Sequence, residues 1–205
     1  MSKRERLSEF NRKNIVDTAK RLFLEKGVAG TTMDDIAKEA EYSKSTIYVY
    51  FKNKDEIYNY IILEHIKLLR NSISQALQNA PGFPDGYFAV CNALVTFYNT
   101  YPLYFESILG EIKIPKDESE AVLIQIYKVG EEINSMIEDY MKTYISKKQI
   151  RSTLNPLQAT FTLWASLSGI ITLANKKEAY INQAMHISKE EFMQNGFAVL
   201  LKSIT

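Results

Sequence analysis

Three helix-start signals follow one another at short intervals in the N-terminal third of the chain. Thr32, Ser43 and Asn53 each stand where an apolar helical pattern begins, and an acid lies three residues after Thr32 and after Asn53. Ser, Thr and Asn cap helices because their side-chain oxygens accept hydrogen bonds from backbone N–H groups of the first turn. Only Glu41 and Tyr42 separate the second helix from Ser43. The spacing predicts two short helices joined by a tight turn, the helix-turn-helix arrangement.

Helical periodicity extends this prediction on both sides. An earlier helix is expected over residues 8–26, because apolar residues from Ile15 to Phe23 share one face and Gly27 follows where a left-handed cap would lie. In the third helix, Ile47 and Phe51 are four residues apart and should face inward, which turns Lys44 and its neighbours outward.

The remainder of the chain also has helical patterns, separated by breaks at 80–86 and at Ile114 and Pro115. The later helices are predicted at residues 53–79, 87–100, 102–109, 119–146, 155–175 and from Ser188 onward. No strand pattern competes with them. We therefore predict an all-α fold of about nine helices, with a small N-terminal domain at 1–54 and a larger helical domain at 55–205.

Charge is unevenly distributed along a nearly neutral chain. The 205 residues are 46% hydrophobic with a formal net charge of +1, which is typical of a globular protein. Residues 1–13 hold five Lys or Arg against two Glu, and residues 43–54 hold three Lys and no acid. Two local basic clusters favour contact with a polyanion such as a phosphate backbone. Solvated surface lysines are the alternative that charge alone leaves open.

Cysteine content and the N-terminal sequence favour the cytoplasm. Cys91 is the single cysteine, and the first ten residues lack the apolar core of a signal peptide. The charge-free run at 152–175 is long enough to span a bilayer, which takes about 20 residues. It contains many Ser, Thr, Asn and Gln residues. We therefore expect a helix buried in protein and no membrane partner.

The residue pattern gives no support to catalysis. His65 and His186 are far apart in sequence, and Cys91 lies in an apolar helical segment. No set of residues has the spacing of a metal site or of an activated nucleophile. The sequence therefore predicts no enzyme, no metal and no cofactor. A helical adaptor that binds another protein remains the alternative function.

One segment carries a specific resemblance. The run "TAKRLFLEKGVAGTTMDDIAKEAEYSKSTIYVYFKNKDEI", residues 18–57, resembles the DNA-binding domain of the TetR/AcrR family of bacterial transcriptional regulators. The matching elements are "A..LF...G", "TT..DIA..A", "S..T.Y.YF" and "K.K". The resemblance implies a dimeric repressor that binds a palindromic operator in double-stranded DNA and is released by a small molecule.

The resemblance also implies DNA-contacting residues. In such proteins the third helix enters the major groove, so its outward side chains would read bases or contact phosphates. Lys54 resembles the family's phosphate clamp, and the start of the second helix would lie beside the backbone. Arg12 and Lys13, with Arg4 and Arg6, could add contacts. The predicted DNA-binding residues are Thr32, Met33, Lys44, Ser45, Thr46, Tyr48, Val49, Tyr50 and Lys54.

Two positions depart from the family pattern. Glu41 and Tyr42 occupy the turn where the family usually has Gly and a small aliphatic residue, and Tyr50 replaces the usual histidine. Because Gly tolerates positive φ best, we expect Glu41 to adopt an unfavourable backbone angle.

The resemblance assigns dimerisation to the last two predicted helices, 155–175 and 188–204. The first of these contains small residues where a partner helix could approach closely: Ala165, Ser168, Gly169 and Thr172. A core formed within one chain is the alternative.

The effector is expected to be small and lipophilic or aromatic, because aromatic residues are abundant in the middle of the chain. The predicted effector-binding residues are Tyr98, Tyr101, Phe105, Tyr127 and Trp164, with tyrosine hydroxyls giving direction. Aromatics at helical spacing are also ordinary core residues, and the sequence does not separate the two roles.

Overall fold

The computed structural model describes residues 2–109 and 120–205, and these residues form ten α-helices and no strand. The all-α prediction is confirmed, with one helix more than the expected number of about nine. The helices are α1 (Lys3–Gly30), α2 (Met33–Glu39), α3 (Lys44–Tyr50), α4 (Lys54–Asn79), α5 (Phe83–Thr100), α6 (Pro102–Ile108), α7 (Ala121–Ser146), α8 (Pro156–Lys176), α9 (Glu178–Met185) and α10 (Lys189–Ile204).

The described residues divide into two compact units. The first holds residues 2–65 and 120–127, and the second holds residues 66–109 and 128–205. Helix α4 therefore contributes residues to both. The predicted domain boundary lies between residues 54 and 55, with DNA binding on one side and effector binding and dimerisation on the other. This boundary stays a prediction.

In the first unit, helices α1 to α4 enclose one apolar core. Ile15, Ile36 and Ile47 are completely buried, and Phe51 is 1% exposed. The expectation that Ile47 and Phe51 face inward is confirmed. Because one face of the short α3 is held by these two side chains, its opposite face is turned outward.

The helix starts of this unit follow the predicted caps. Thr32 Oγ1 accepts a hydrogen bond from the Asp35 backbone N–H, Ser43 Oγ accepts one from Thr46, and Asn53 Oδ1 accepts one from Glu56. Helix α1 begins earlier than predicted, at Lys3, because Ser2 and Glu5 form a reciprocal capping box. The predicted end at Gly27 is a kink, where φ is 74° and ψ is 160°.

The second unit departs from the predicted elements at two places. Helix α5 begins at Phe83 rather than at residue 87, because Gly82 is its N-cap and Pro84 stands in the first turn, where a missing N–H costs little. Helix α9 was not predicted, since Lys177 provides no side-chain cap. The predicted break at Ile114 and Pro115 and the predicted start at 119 lie outside the described residues.

The core of the second unit lies where α5, α7, α8 and α10 meet. Its buried cluster comprises Phe83, Met141, Ile150, Ala159 and Ile204. Helices α8 and α10 pack along one another. The buried residues of α8 are Ala159, Thr160, Leu167, Ile171 and Ala174. The core of the second unit therefore packs against one face of α8.

Helix α8 is the one helix in the described part of the chain that is long and apolar enough, by length and composition, to cross a membrane. Core helices of globular proteins meet the same criteria. In this structure 28% of its most apolar window is buried. The helix is therefore only partly covered by the rest of the protein.

Candidate nucleic-acid interface and ligand cavity

The outward face of α3 presents two large side chains. Val49 is 78% exposed and Tyr48 is 48% exposed, although both are large hydrophobic side chains. Both side chains are therefore available for contact with another molecule. Val49 could pack on a thymine methyl group, and the Tyr48 hydroxyl could reach a phosphate.

The hydroxyls at the start of α3 bond to one another in the DNA-free protein. Ser43 Oγ lies 2.9 Å from Ser45 Oγ and 2.7 Å from Thr46 Oγ1. The same oxygen caps the helix by accepting from the Thr46 backbone N–H at 3.1 Å. Because Ser43 Oγ has one proton, at least one of the Ser45 and Thr46 hydroxyls donates to it and must break that bond to donate to a base or a phosphate.

Lys44, the first residue of α3, has an acidic partner on α2. Its ammonium lies 2.8 Å from a carboxylate oxygen of Asp34, and the hydrogen bond to this carboxylate raises the pKa of Lys44. Neither sequence spacing nor charge counting indicated this pair. The positive charge at the head of α3 is thus partly neutralised before any DNA is bound.

Lys54 joins the start of α4 to the kinked end of α1. Its ammonium donates to the carbonyl oxygens of Val28 at 2.6 Å and Thr31 at 2.7 Å. The buried Thr31 hydroxyl donates to the Gly27 carbonyl at 2.9 Å. The backbone carbonyls of Gly27, Val28 and Thr31, at and after the kink, therefore accept hydrogen bonds from side chains. One N–H of the Lys54 ammonium is not used by these two bonds, and the predicted phosphate contact stays a prediction.

The turn between α2 and α3 has the strain expected of it. Glu41 has a φ of 60°, in the left-handed region. Its N–H donates to the Lys38 carbonyl, and the next N–H, of Tyr42, donates to the Ala37 carbonyl at 2.9 Å. These two bonds form a Schellman motif, in which the left-handed residue is usually Gly. The expectation for Glu41 is confirmed.

A hydrogen-bond chain fixes α1 against this turn. The Tyr42 hydroxyl donates to Asn11 Oδ1 at 2.9 Å, and Asn11 Nδ2 donates to the Tyr50 hydroxyl at 2.9 Å. The Tyr50 hydroxyl accepts in this bond and keeps its own proton available to a phosphate.

The Arg12 side chain is held by contacts within the protein. Its guanidinium donates to the Tyr50 carbonyl at 2.8 Å and lies 4.9 Å from the Phe51 ring centroid and 4.6 Å from that of Tyr60. The suggestion of a DNA contact from Arg12 does not fit these contacts, because they hold the cation among aromatic rings.

The remaining predicted contacts lie at the start of α2. Thr32 and Asp35 form a reciprocal capping box, and the Thr32 hydroxyl also donates to the Asp35 carboxylate at 2.6 Å. These hydrogen bonds lower the pKa of Asp35. Met33 is half-buried in the first turn. The roles of Thr32 and Met33 beside a DNA backbone stay predictions.

The second unit contains a small apolar cavity that is partly open to solvent. Five helices contribute to its wall. The lining residues are Leu77, Phe83, Tyr87, Val90, Ile137, Tyr140, Met141, Thr160, Leu163, Trp164, Leu167 and Ile204.

Of the five predicted effector-binding residues, Trp164 lines this cavity and the other four do not. Tyr98 and Phe105 pack edge to face with ring centroids 5.0 Å apart, and Tyr101 packs on Phe97 at 5.3 Å. Tyr127 belongs to the other compact unit. Tyr98, Tyr101 and Phe105 pack in an aromatic cluster formed by α5, α6 and the residue between them, which helical spacing alone does not distinguish from a pocket.

The side of α8 away from the core is uncharged and open. Phe161 and Leu173 are 45% and 46% exposed. Ala165 and Gly169, both predicted interface residues, are exposed on the same side, and Ser168 and Thr172 are half-exposed. A Cβ added at Gly169 would have no atom within 4 Å. The four predicted residues thus lie on an open part of α8.

Metal binding finds no support in the part of the chain that the structure describes, where no three His, Cys, Asp or Glu residues group closely enough to hold an ion.

Comparison with known proteins agrees with the helix-turn-helix geometry. Residues 15–61 match the family described as bacterial regulatory proteins, tetR family. A Bacillus subtilis relative, the uncharacterized HTH-type transcriptional regulator YhgD, is 26% identical over 162 residues, which cover 79% of this chain and 81% of YhgD. The N-terminal domain of the chain is therefore a DNA-binding domain of the TetR family. This TetR-family protein is a DNA-binding transcriptional regulator.

Two further likenesses cover different parts of the TetR-family chain. The negative transcriptional regulator IcaR of the biofilm operon icaADBC from Staphylococcus epidermidis is 50% identical over 44 residues, which cover 22% of this chain and 24% of IcaR. The transcriptional regulator FadR from Bacillus subtilis, solved in complex with stearoyl-CoA, has a TM-score of 0.69 at 16% identity and covers 94% of this chain and 99% of that one. The second likeness shows that the fold is shared over nearly the whole chain.

Proposed function

We propose that the protein is a cytoplasmic, dimeric repressor that binds a palindromic operator and is released by a small apolar effector. Residues 1–54 would read DNA, and residues 55–205 would bind the effector and form the dimer. In the reading domain, α3 offers Tyr48 and Val49 on its open face and Lys44 at its start. One such helix contacts only a few base pairs, so useful specificity requires two copies.

The observation that carries this proposal is that α8 has two distinct faces. Thr160, Leu163, Trp164 and Leu167 line the cavity. Phe161, Ala165, Gly169 and Leu173 lie on the open side of the same helix. Burial of that uncharged side against a second copy would remove exposed apolar area from water. Any ligand that shifts α8 would then alter the dimer directly.

Two similar proteins support repression and control by a small molecule. IcaR is named a negative regulator, which supports repression by this chain. FadR is solved with stearoyl-CoA, which supports a small-molecule ligand for a protein of this fold.

The ligand would act by population shift. The two reading helices of a dimer must stand about 34–36 Å apart to enter successive major grooves. A ligand that binds better to another spacing lowers operator affinity, and the reduction equals its preference between the two states.

The test combines DNA selection with a dimer variant. Purified protein is used to select from random duplex DNA, and the retained sequences should be palindromes with half-sites about one helical turn apart. Sequences retained without two-fold symmetry would contradict the dimeric repressor.

Ala165→Glu, measured by sedimentation, should weaken self-association by at least about 100-fold, because it would bury a carboxylate without a partner. Ala121→Glu is the matched control, because Ala121 is an exposed helical alanine on α7. Equal self-association of both variants would exclude the α8 interface.

A further inference from the structure

Four side chains that can form hydrogen bonds line the cavity. Tyr87 and Tyr140 lie on α5 and α7, and Thr160 and Trp164 lie on α8. The other lining residues are Leu, Ile, Val, Met and Phe. No charged side chain is among the described residues that line it.

All four of these side chains already donate within the protein. The Tyr87 hydroxyl donates to the Phe197 carbonyl at 2.9 Å, and Thr160 Oγ1 donates to the Pro156 carbonyl at 2.9 Å. The indole N–H of Trp164 donates to Asn134 Oδ1 at 3.2 Å. Only the lone pairs of hydroxyl oxygens, which are acceptors, remain for a ligand at these residues.

Tyr140 is fixed most firmly. Its hydroxyl lies within 3.0 Å of the Gly82 carbonyl and 3.1 Å of the Phe83 carbonyl. A Cβ added at Gly86 would overlap this hydroxyl, so the glycine provides the space that the phenol occupies. Burial raises the pKa of Tyr140 and of Tyr87, which keeps both phenols neutral. Neither phenol provides charge to a ligand.

A ligand with an anionic or strongly accepting group would lose water contacts and gain no donor from these residues. A hydrocarbon has no hydrogen bonds to water to lose, and it would fill the apolar space of the cavity. We propose that the cavity binds an uncharged, hydrocarbon-like molecule, and that it discriminates against carboxylates and other anions of the same shape. This inference rests on the proposed function, in which the cavity holds the effector.

Trp164 allows binding to be measured without DNA. It is the single tryptophan of the chain and it lines the cavity, so its fluorescence reports occupancy directly. The probes are three compounds on one non-absorbing ring: ethylcyclohexane, methyl cyclohexanecarboxylate and cyclohexanecarboxylate. They differ in charge and in acceptor strength at similar size.

Titration with ethylcyclohexane should change Trp164 emission, and the change should saturate as the cavity fills. The ester should bind about tenfold more weakly, and the carboxylate at least about 100-fold more weakly. Equal binding of the carboxylate would overturn the proposal, as would saturable binding of none of the three compounds.

Two matched variants connect the signal to the cavity. Leu163→Phe adds volume at a cavity residue and should weaken hydrocarbon binding by at least about tenfold. Leu24→Phe makes the same change at an exposed position of α1 and should leave the affinity unchanged. Equal affinities for both variants would show that the hydrocarbon binds elsewhere, which overturns the proposal.

Operator binding is measured separately by fluorescence anisotropy of labelled DNA. If the hydrocarbon changes Trp164 emission and does not release DNA, the ligand class is supported and the proposed role of the cavity in release fails. If the carboxylate binds the cavity and releases DNA and the hydrocarbon does neither, the ligand class is overturned and the proposed function stands.

Discussion

The Lys44 ammonium lies 2.8 Å from a carboxylate oxygen of Asp34, which joins the first residue of α3 to the helix that precedes it. The two side chains are 56% and 65% exposed. An exposed pair of this kind is weak because water screens the two charges, so DNA can displace it. Until then, Asp34 reduces the positive charge that α3 presents.

Asp34→Asn should therefore strengthen binding to every duplex, by about two- to fivefold at low salt, because Lys44 is released and one negative charge is removed. Anisotropy titrations at two salt concentrations measure the gain, which should shrink as salt rises. Glu39→Gln is the matched control, since it removes one acid from the other end of α2, where Glu39 lies 3.6 Å from Arg21. An equal gain from Glu39→Gln would mean that net charge alone matters.

Lys54→Met should have two effects. Loss of the bonds to Val28 and Thr31 should lower the free energy of unfolding by about 2 kcal/mol. Loss of a phosphate contact should reduce the salt dependence of DNA binding by about one unit of slope. Urea unfolding and salt titrations measure the two separately. Lys52→Met removes a neighbouring exposed lysine and should leave stability unchanged. A normal salt slope for Lys54→Met would restrict Lys54 to a structural role.

Glu41→Gly should stabilise the protein by about 1 kcal/mol, because Gly adopts the left-handed conformation of this position without a steric penalty. Urea unfolding measures the change. Glu39→Gly, at the last residue of α2, where φ is not positive, should instead destabilise the protein by up to about 1 kcal/mol. A loss of stability in the Glu41 variant would show that its side chain, rather than the φ of 60°, determines the energetics of the turn.

Gly86→Ala should destabilise the protein by about 2 kcal/mol, because the added Cβ displaces the Tyr140 phenol from the two carbonyls it bonds. Gly130→Ala is the matched control on α7, where a Cβ would meet nothing within 4 Å. That change should stabilise by about 0.5–1 kcal/mol through helix propensity. Thermal unfolding compares the two, and similar stabilities would mean that Tyr140 moves at little cost.

Sequence reasoning succeeded where structure is decided locally. The caps at Thr32, Ser43 and Asn53 depend on residues three positions away, and the strain at Glu41 follows from the length of its turn. The capping box of Ser2 was equally local and available in the sequence. A prediction that starts α1 at residue 8 leaves out this box and therefore begins the helix too late.

Sequence reasoning failed where distant segments meet. Arg12 reads as a surface cation, yet its position depends on the rings of Phe51 and Tyr60, far along the chain. The cavity wall likewise depends on which faces of five helices converge. Tyr87 and Tyr140 are aromatic residues like Tyr98 and Tyr101, and nothing in their spacing shows that the first pair lines a cavity.

The division of α8 into two faces also limits how such a protein can acquire a new ligand. A substitution on α8 that reshapes the cavity disturbs the helix that would carry the dimer contact. Helices α5 and α7 contribute Val90 and Ile137 to the same wall. We expect natural changes of ligand range to accumulate first on α5 and α7, with α8 diverging more slowly between closely related regulators.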